Sequence, residues 1–423
     1  MNRIVHPTAA VVGNLLVPPS KSFSQRALAL AYLAEGTSYL SNIGTSKDEL
    51  VAIDILTQSG ARLSRDHQAL IVDIGGPEPN SLRIECGESG LAARLFTPIF
   101  ASKPFETKIG ASGSLLQRPM TTFSSIFEQL KVRYFSEGGM FPITLQGPFQ
   151  LPHSITVDGA QSSQYVTGLL YAILGCERQH PITLTIENPT SIPYIWLSLE
   201  VLSAFGVNLK WESGKIIIPA TAKIRPSTIA IEADWSSASF WVVAAAISGK
   251  VTLEGLNLQS SQADKAILSV VEQYGALVSV TGTQITVASK GSRAFVFDAN
   301  NCPDLFPPLV ALAATASGIS EIRGVGRLYH KESNRALTLQ SEFAKLGVNI
   351  ELEDDLMRIH GVAQLKGNVV KSHGDHRIAM SCALAILMSK EPILIEGAEA
   401  VNKSYPDFFK HLSLFGVNSY EVE

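Results

Sequence analysis

One pattern of apolar and polar positions returns along the chain. A stretch with apolar residues at helical spacing ends at a glycine or polar residue. A short alternation of apolar and polar residues follows. The copies are LTQSGARLS at Gly60, FEQLKVRYF at Lys131, LSAFGVNLKW at Gly206, VEQYGALVSV at Gly275, EFAKLGVNIEL at Gly347 and HLSLFGVNSYEV at Gly416. Their spacings are 71, 75, 69, 72 and 69 residues, so six units of about 70 residues cover the chain. Glycine suits the left-handed residue that ends a helix, and the alternation suits a half-buried strand. Each unit is too long for a solenoid repeat and reads as a small α/β subdomain.

The six units group as three plus three. The segment EADWSSASF opens the fourth unit with a polar turn and a new helix. A hinge there, with a second near VPPSK, predicts two similar lobes: residues 15–232, and residues 1–14 with 233–423. The N-terminal strand then belongs with the C-terminal lobe. Clefts between lobes are favoured ligand sites.

Composition narrows the function. Hydrophobic residues make up 46% and charged residues 17%, which predicts a large core and argues against disorder. The net charge of −4 argues against a nucleic-acid partner. Cys86, Cys176, Cys302 and Cys382 are scattered with no CxxC pair, which suits a reducing compartment. The start MNRIVHPTAAVVGNLL is not patterned as a signal peptide. Apolar runs such as FWVVAAAISG fall short of a membrane span. The expectation is a soluble cytoplasmic protein with no membrane partner.

The polar clusters sit at helix starts. In VPPSKSFSQRALALAYLAEG, Lys21 opposes the helix dipole unless an anion sits on the free N–H groups; Ser22 and Arg26 share its face. In DGAQSSQYVTGLL, Ser162, Ser163 and Gln164 form either an ordinary cap or a cradle for an anion or hydroxyl. Lys331, Glu332 and Arg335 are read as the start of a helix, either as part of a site or as a solvated charged helix start. In SHGDHRIAM, Asp375 is a natural cap, and Arg377 enters an apolar helix, where a buried charge needs a partner. With no second ligand cluster nearby, this segment does not read as a metal site. Arg118 precedes a proline and Lys403 lies in a turn. Seven cations at unit junctions of an acidic chain suggest small polyanionic ligands rather than DNA. The candidate acid/base groups are Lys21, Asp304, Glu332 and His376.

These segments, with SIPYIWLSLEVLSAFGV, KESNR and NKSYPDFF, resemble the 5-enolpyruvylshikimate-3-phosphate synthases, enolpyruvyl transferases of the shikimate pathway. The resemblance spans the whole chain. It implies an α/β (α+β) fold of two lobes, each of three βαβαββ-type units, an inverse α/β barrel. It implies transfer of the enolpyruvyl group of phosphoenolpyruvate to the 5-hydroxyl of shikimate 3-phosphate, on the route to chorismate and aromatic amino acids. No cofactor and a glyphosate target are implied as well; a monomer is expected because nothing in the sequence demands an interface.

By resemblance, shikimate 3-phosphate meets Lys21, Ser22, Arg26, Ser162, Ser163, Gln164, Ser191, Tyr194, Asp304 and Lys331. Phosphoenolpyruvate meets Lys21, Gly90, Arg118, Gln164, Arg335, Arg377 and Lys403. Lys21, Asp304 and Glu332 are the implied catalytic groups. The lobe of residues 15–232 is the shikimate 3-phosphate side, the other is the phosphoenolpyruvate side, and the active site is expected in the cleft between them.

Three departures stand out. The family's usual N-A-G-T loop reads Glu88-Ser89-Gly90-Leu91, which places a carboxylate near an anion site, with Arg94 or Arg118 as its expected partner. An asparagine often found before the K-E-[ST] motif is replaced around Arg327. An S-D-D-like turn reads Ser46-Lys47-Asp48. Three other readings compete. The sister transferase acting on UDP-N-acetylglucosamine carries a reactive cysteine before its Arg-Pro, absent from GASGSLLQRP. An RNA-end cyclase would carry an adenylated histidine motif. A catalytically silent binder need not keep both Asp304 and Glu332.

Overall fold

The computed structural model describes residues 1–67, 69–76 and 79–422. Among these described residues are six four-stranded sheets with one repeated topology. In one of them, Ser154–Asp158 runs parallel to Ile182–Glu187, which pairs antiparallel with Lys215–Ile218, and that strand with Trp211–Glu212. The helix Ser163–Leu174 joins the parallel pair, and the helix Ile192–Ala204 leads to the hairpin. The β-strand period is plain: Ile182, Leu184 and Ile186 are buried, while Thr183 and Thr185 are only half-buried.

Three sheets are completed by strands from distant parts of the chain. Thr228–Ala230 pairs parallel with Thr37–Ser41. Strand β1 (Asn2–Val5) lies between Ile393–Glu396 and Ser419–Val422. Strand β2 (Val11–Leu16) pairs parallel with Gly249–Glu254. Two compact units result, Met1–Pro18 with Glu232–Glu423, and Pro19–Ile231. The first break falls after Pro18 rather than between residues 14 and 15, because that expected point lies inside β2, whose pairing runs through Leu16.

Each unit has its own apolar core built on three helices. In Pro19–Ile231 these are α1 (Lys21–Leu33), α2 (Gly90–Ala101) and α3 (Ser163–Leu174). In the other unit they are α4 (Trp235–Ile247), α5 (Phe306–Ala313) and α6 (His376–Leu384). Every residue of α2, α5 and α6 is buried, as expected of helices that are apolar nearly all round. Helices α2 and α3 approach so closely that a Cβ on Gly168 would lie 2.2 Å from the Arg94 carbonyl oxygen. The six repeat positions all have left-handed φ, from 57° at Lys131 to 111° at Gly275. Among the described residues, no helix is long and apolar enough to cross a membrane.

Candidate active site

In Pro19–Ile231, the polar groups gather at the starts of the core helices. Ser20 caps α1, and Lys21 is its first residue. The Lys21 ammonium lies 2.8 Å from Asp48 Oδ2, so a carboxylate of the same unit offsets the cation at the helix start. Ser22 follows, and its carbonyl accepts from Arg26 Nη1 at 2.8 Å. Arg26 is only 1% exposed; its Nε donates to Ser198 Oγ at 2.9 Å and its Nη2 to the Tyr194 carbonyl at 3.5 Å. Burial pushes the Arg26 pKa down, countered by Tyr171 and Tyr194.

Ser89 caps α2 and donates its hydroxyl to Gln25 Oε1 at 3.2 Å, which ties the start of α2 to α1. Ser162 caps α3 by accepting from the Gln164 amide at 3.3 Å; Ser163, next in line, is buried. Gln164 Oε1 accepts from Arg94 Nη1 at 2.9 Å, and the Arg94 guanidinium stands over the Tyr165 ring at 5.2 Å. A Cβ on Gly90 would lie 3.0 Å from Arg94 Nη1 and 3.1 Å from Arg118 Nη1, so glycine lets two guanidinium groups close on the helix start. Gly90, Arg118 and Gln164 are thus brought together, and Arg94 joins them. Ser191 holds a left-handed φ of 49° and precedes the helix Ile192–Ala204, which carries Tyr194.

In the other unit, Asp304 sits in a 3-10 turn, Pro303–Leu305, leading into α5. It receives Arg335 Nη1 at 2.8 Å, Arg377 Nη2 at 3.2 Å and Lys331 Nζ at 3.4 Å. Arg335, 1% exposed, also reaches Asp375 through Nε at 2.7 Å and Glu332 through Nη2 at 2.7 Å. Lys403, the last residue of the 3-10 turn Ala398–Lys403, lies 3.6 Å from Glu332 Oε1. Asp375 caps α6 as its sequence suggested, accepting from the Arg377 amide at 3.0 Å. Four cations therefore meet three carboxylates.

The cations decide the electrostatics. Burial alone would raise the Asp304 pKa, but Arg377, Lys331 and Arg335 together hold it well below the usual carboxylate range. Burial lowers Lys331, opposed by Asp304. Arg335 is raised: Asp375, Glu332 and Asp304 outweigh its burial.

One local expectation is corrected. Lys331 and Glu332 do not begin a helix. The helix runs Arg335–Lys345, because Asn334 caps it by accepting from the Leu337 amide at 3.4 Å; the residues before it form a bend.

The sequence singled out neither Asp48 as the partner of Lys21 nor Asp375 as the partner of Arg335. It also passed over Asp264, a buried carboxyl bonded to the Ser236 hydroxyl. Burial, with Asp304 beside it, pushes its pKa up to about 7. The DK pair in QADKAIL carries no motif, so only the fold reveals it. Among the described residues, no three His, Cys, Asp or Glu side chains come together to hold a metal ion.

The described residues thus form an α/β protein of six repeated sheets, with cations and capping hydroxyls gathered at or near the starts of its buried helices. Comparison with known proteins gives the family. The sequence profile described as EPSP synthase (3-phosphoshikimate 1-carboxyvinyltransferase) matches residues 5–412. The 3-phosphoshikimate 1-carboxyvinyltransferase of Clostridium kluyveri is 33% identical, with 97% of this chain and 96% of that protein covered. That of Clostridium beijerinckii is 34% identical, with 95% of each covered. A solved EPSP synthase from Acinetobacter baumannii has a TM-score of 0.81 at 26% identity, over 99% of this chain and 100% of that one. The chain belongs to the EPSP synthase family.

Proposed function

We propose that this chain transfers the enolpyruvyl group of phosphoenolpyruvate to the 5-hydroxyl of shikimate 3-phosphate and releases phosphate. The residues that the family resemblance assigns to the two substrates are divided between the two units. Both substrates carry a phosphate and a carboxylate, and the cations and helix starts of the two units suit those four anionic groups.

The observation that carries the mechanism is the setting of Glu332, its two oxygens held by Arg335 and Lys403. In this reading the substrate anions draw Arg335 and Lys403 away from Glu332, which then carries a proton and gives it to the methylene carbon of phosphoenolpyruvate while the 5-hydroxyl oxygen adds to the neighbouring carbon. The tetrahedral adduct forms. Glu332 then takes a proton back from the new methyl group as the C–O bond to phosphate breaks, which regenerates the double bond in the product. Asp304 takes the hydroxyl proton as the new C–O bond forms, the departing phosphate takes a proton from Lys21, and exchange with solvent restores both groups.

Asp304 holds its proton poorly while three cations face it alone. Substrate anions sharing those cations weaken that pull, so proton affinity at Asp304 rises when the substrates are bound. The arginines stabilise the charge that develops on the adduct and leaving group. Arg26, as enclosed as Arg335, serves by holding the Ser22 and Tyr194 backbone in place.

The test is phosphate release from phosphoenolpyruvate, with shikimate 3-phosphate or UDP-N-acetylglucosamine as acceptor. Release with shikimate 3-phosphate alone supports the reading. Release with the nucleotide sugar, or silence from folded protein that binds shikimate 3-phosphate, would overturn it. We also read the chain as a cytoplasmic monomer; sedimentation at working concentration tests the second part.

A further inference from the structure

The departure at Glu88 has a physical role of its own. Two loop crests meet after the parallel strands Ser81–Glu85 and Glu106–Gly110. The Ser112 amide donates to the Gly87 carbonyl at 2.8 Å, and the Ser114 amide donates to Glu88 Oε1 at 2.8 Å. Between them Gly113 has φ +52°, and a Cβ there would lie 1.9 Å from Glu88 Oε1. Glycine is therefore required both by the backbone and by the carboxylate seated against it. The 3-10 turn Gly113–Gln117 that begins at this bond ends at Arg118, whose amide closes the turn on the Leu115 carbonyl at 3.1 Å. Arg118 Nη2 reaches back towards Ser114 Oγ at 3.5 Å, and its Nη1 stands against Gly90. Glu88 thus grips the first turn of the element whose end carries the guanidinium.

We propose that Glu88 is a positioning residue for the anionic enolpyruvyl donor: it fixes the Gly113–Gln117 turn through the Ser114 amide, and through that turn the Arg118 guanidinium. The proposal rests on the functional reading above. A carboxylate beside an anion site carries an electrostatic cost, and a bond to a backbone donor offsets it by holding a cation in register. The acceptor oxygen, rather than the charge, is the working part.

The test compares Glu88→Ala with Glu88→Gln, which keeps an acceptor oxygen at the same reach. Glu88→Ala should raise the KM for phosphoenolpyruvate about tenfold or more and leave the Kd for shikimate 3-phosphate unchanged. Hydrogen exchange in residues 111–117 should quicken. Glu88→Gln should stay within about threefold of wild type in both readouts. Added to Arg118→Ala, the Glu88→Ala change should have little further effect on KM. If Glu88→Ala does not fold, Glu88→Asp, one methylene short, takes its place. An unchanged KM in Glu88→Ala sinks the proposal, as does a Glu88→Gln as poor as Glu88→Ala or an additive double variant. Silence of the wild-type enzyme with both substrates would instead overturn the functional reading, and the exchange comparison would still decide whether Glu88 holds the turn.

Discussion

Glu332 and Asp264 show what the single residue contributes to this site. Glu332 is held at both oxygens by cations, and a glutamine there keeps the shape but can neither give nor accept the methyl proton. Glu332→Gln should therefore bind shikimate 3-phosphate normally and lose about two or more orders of magnitude in turnover; wild-type turnover would remove Glu332 from the mechanism. Asp264 is the opposite case, a carboxyl the fold keeps at a disadvantage. Its pKa rises from an ordinary 3.8 to about 7, through burial first and then Asp304 and Asp234, against Arg377 and the Ser236 hydroxyl. Between those two pH values the folded protein holds the proton that the unfolded chain releases, so stability falls as pH rises through that window. Asp264→Asn cannot ionise and escapes the penalty. It should stabilise the protein at pH 8 by on the order of 1–4 kcal/mol and do little near pH 4; thermal melts at both pH values check the sign. The cations Lys21, Arg335 and Arg377 could be picked out because a positive charge at a helix start or in an apolar helix calls for an explanation. Their partners Asp48 and Asp375 look like ordinary first-turn and capping acids, and only tertiary proximity distinguishes them.

Among the elements, the repeat was legible because one backbone requirement recurs. A helix must end and a strand must turn back six times, and all six pivots take a left-handed conformation. Five of the six are glycine, which adopts it without cost, and the sixth is Lys131, with φ 57°. A side chain in that region is disfavoured by about 1 kcal/mol or more, while glycine brings extra unfolded-state entropy. Lys131→Gly should therefore stabilise the fold by a net ~0.5–1 kcal/mol, read as a higher denaturant midpoint with an unchanged slope. What the pattern could not supply was the exact reach of elements set by pairing or capping. Strand β2 runs through Leu16 because Leu16 pairs with Glu254 across a distance of more than two hundred residues in sequence. The helix expected at Lys331 waits until Arg335 because Asn334 is the residue whose side chain meets a free amide. Arg94 was noticed only as a partner for Glu88; its place beside Gln164 depends on how closely α2 and α3 pack at Gly168.

For the whole chain, the two units differ in how they are cut from the sequence, and that difference predicts how they fold. Pro19–Ile231 is continuous, holds three complete sheets and has its own core, so it should melt cooperatively as a fragment. The other unit is not continuous. Strand β1 is an inner strand of its sheet, paired with Ile393–Glu396 on one side and Ser419–Val422 on the other. Val5, Val11, Leu15 and Val17 of the first eighteen residues are all at most 5% exposed. Losing four such side chains removes about 6–12 kcal/mol, comparable with the whole stability of a domain, and it splits a sheet besides. A fragment of residues 232–423 should therefore show no cooperative melt. The register offers a repair: Asn2 pairs with Val422 in an antiparallel ladder, so the two chain ends are neighbours. A turn of two to five residues can join them as a hairpin. Residues 232–423 followed by such a turn and residues 1–18 should recover a cooperative transition by circular dichroism. A cooperative melt of 232–423 alone would show that β1 and β2 are dispensable; failure of the joined chain would show that this unit needs more than its own three sheets to fold.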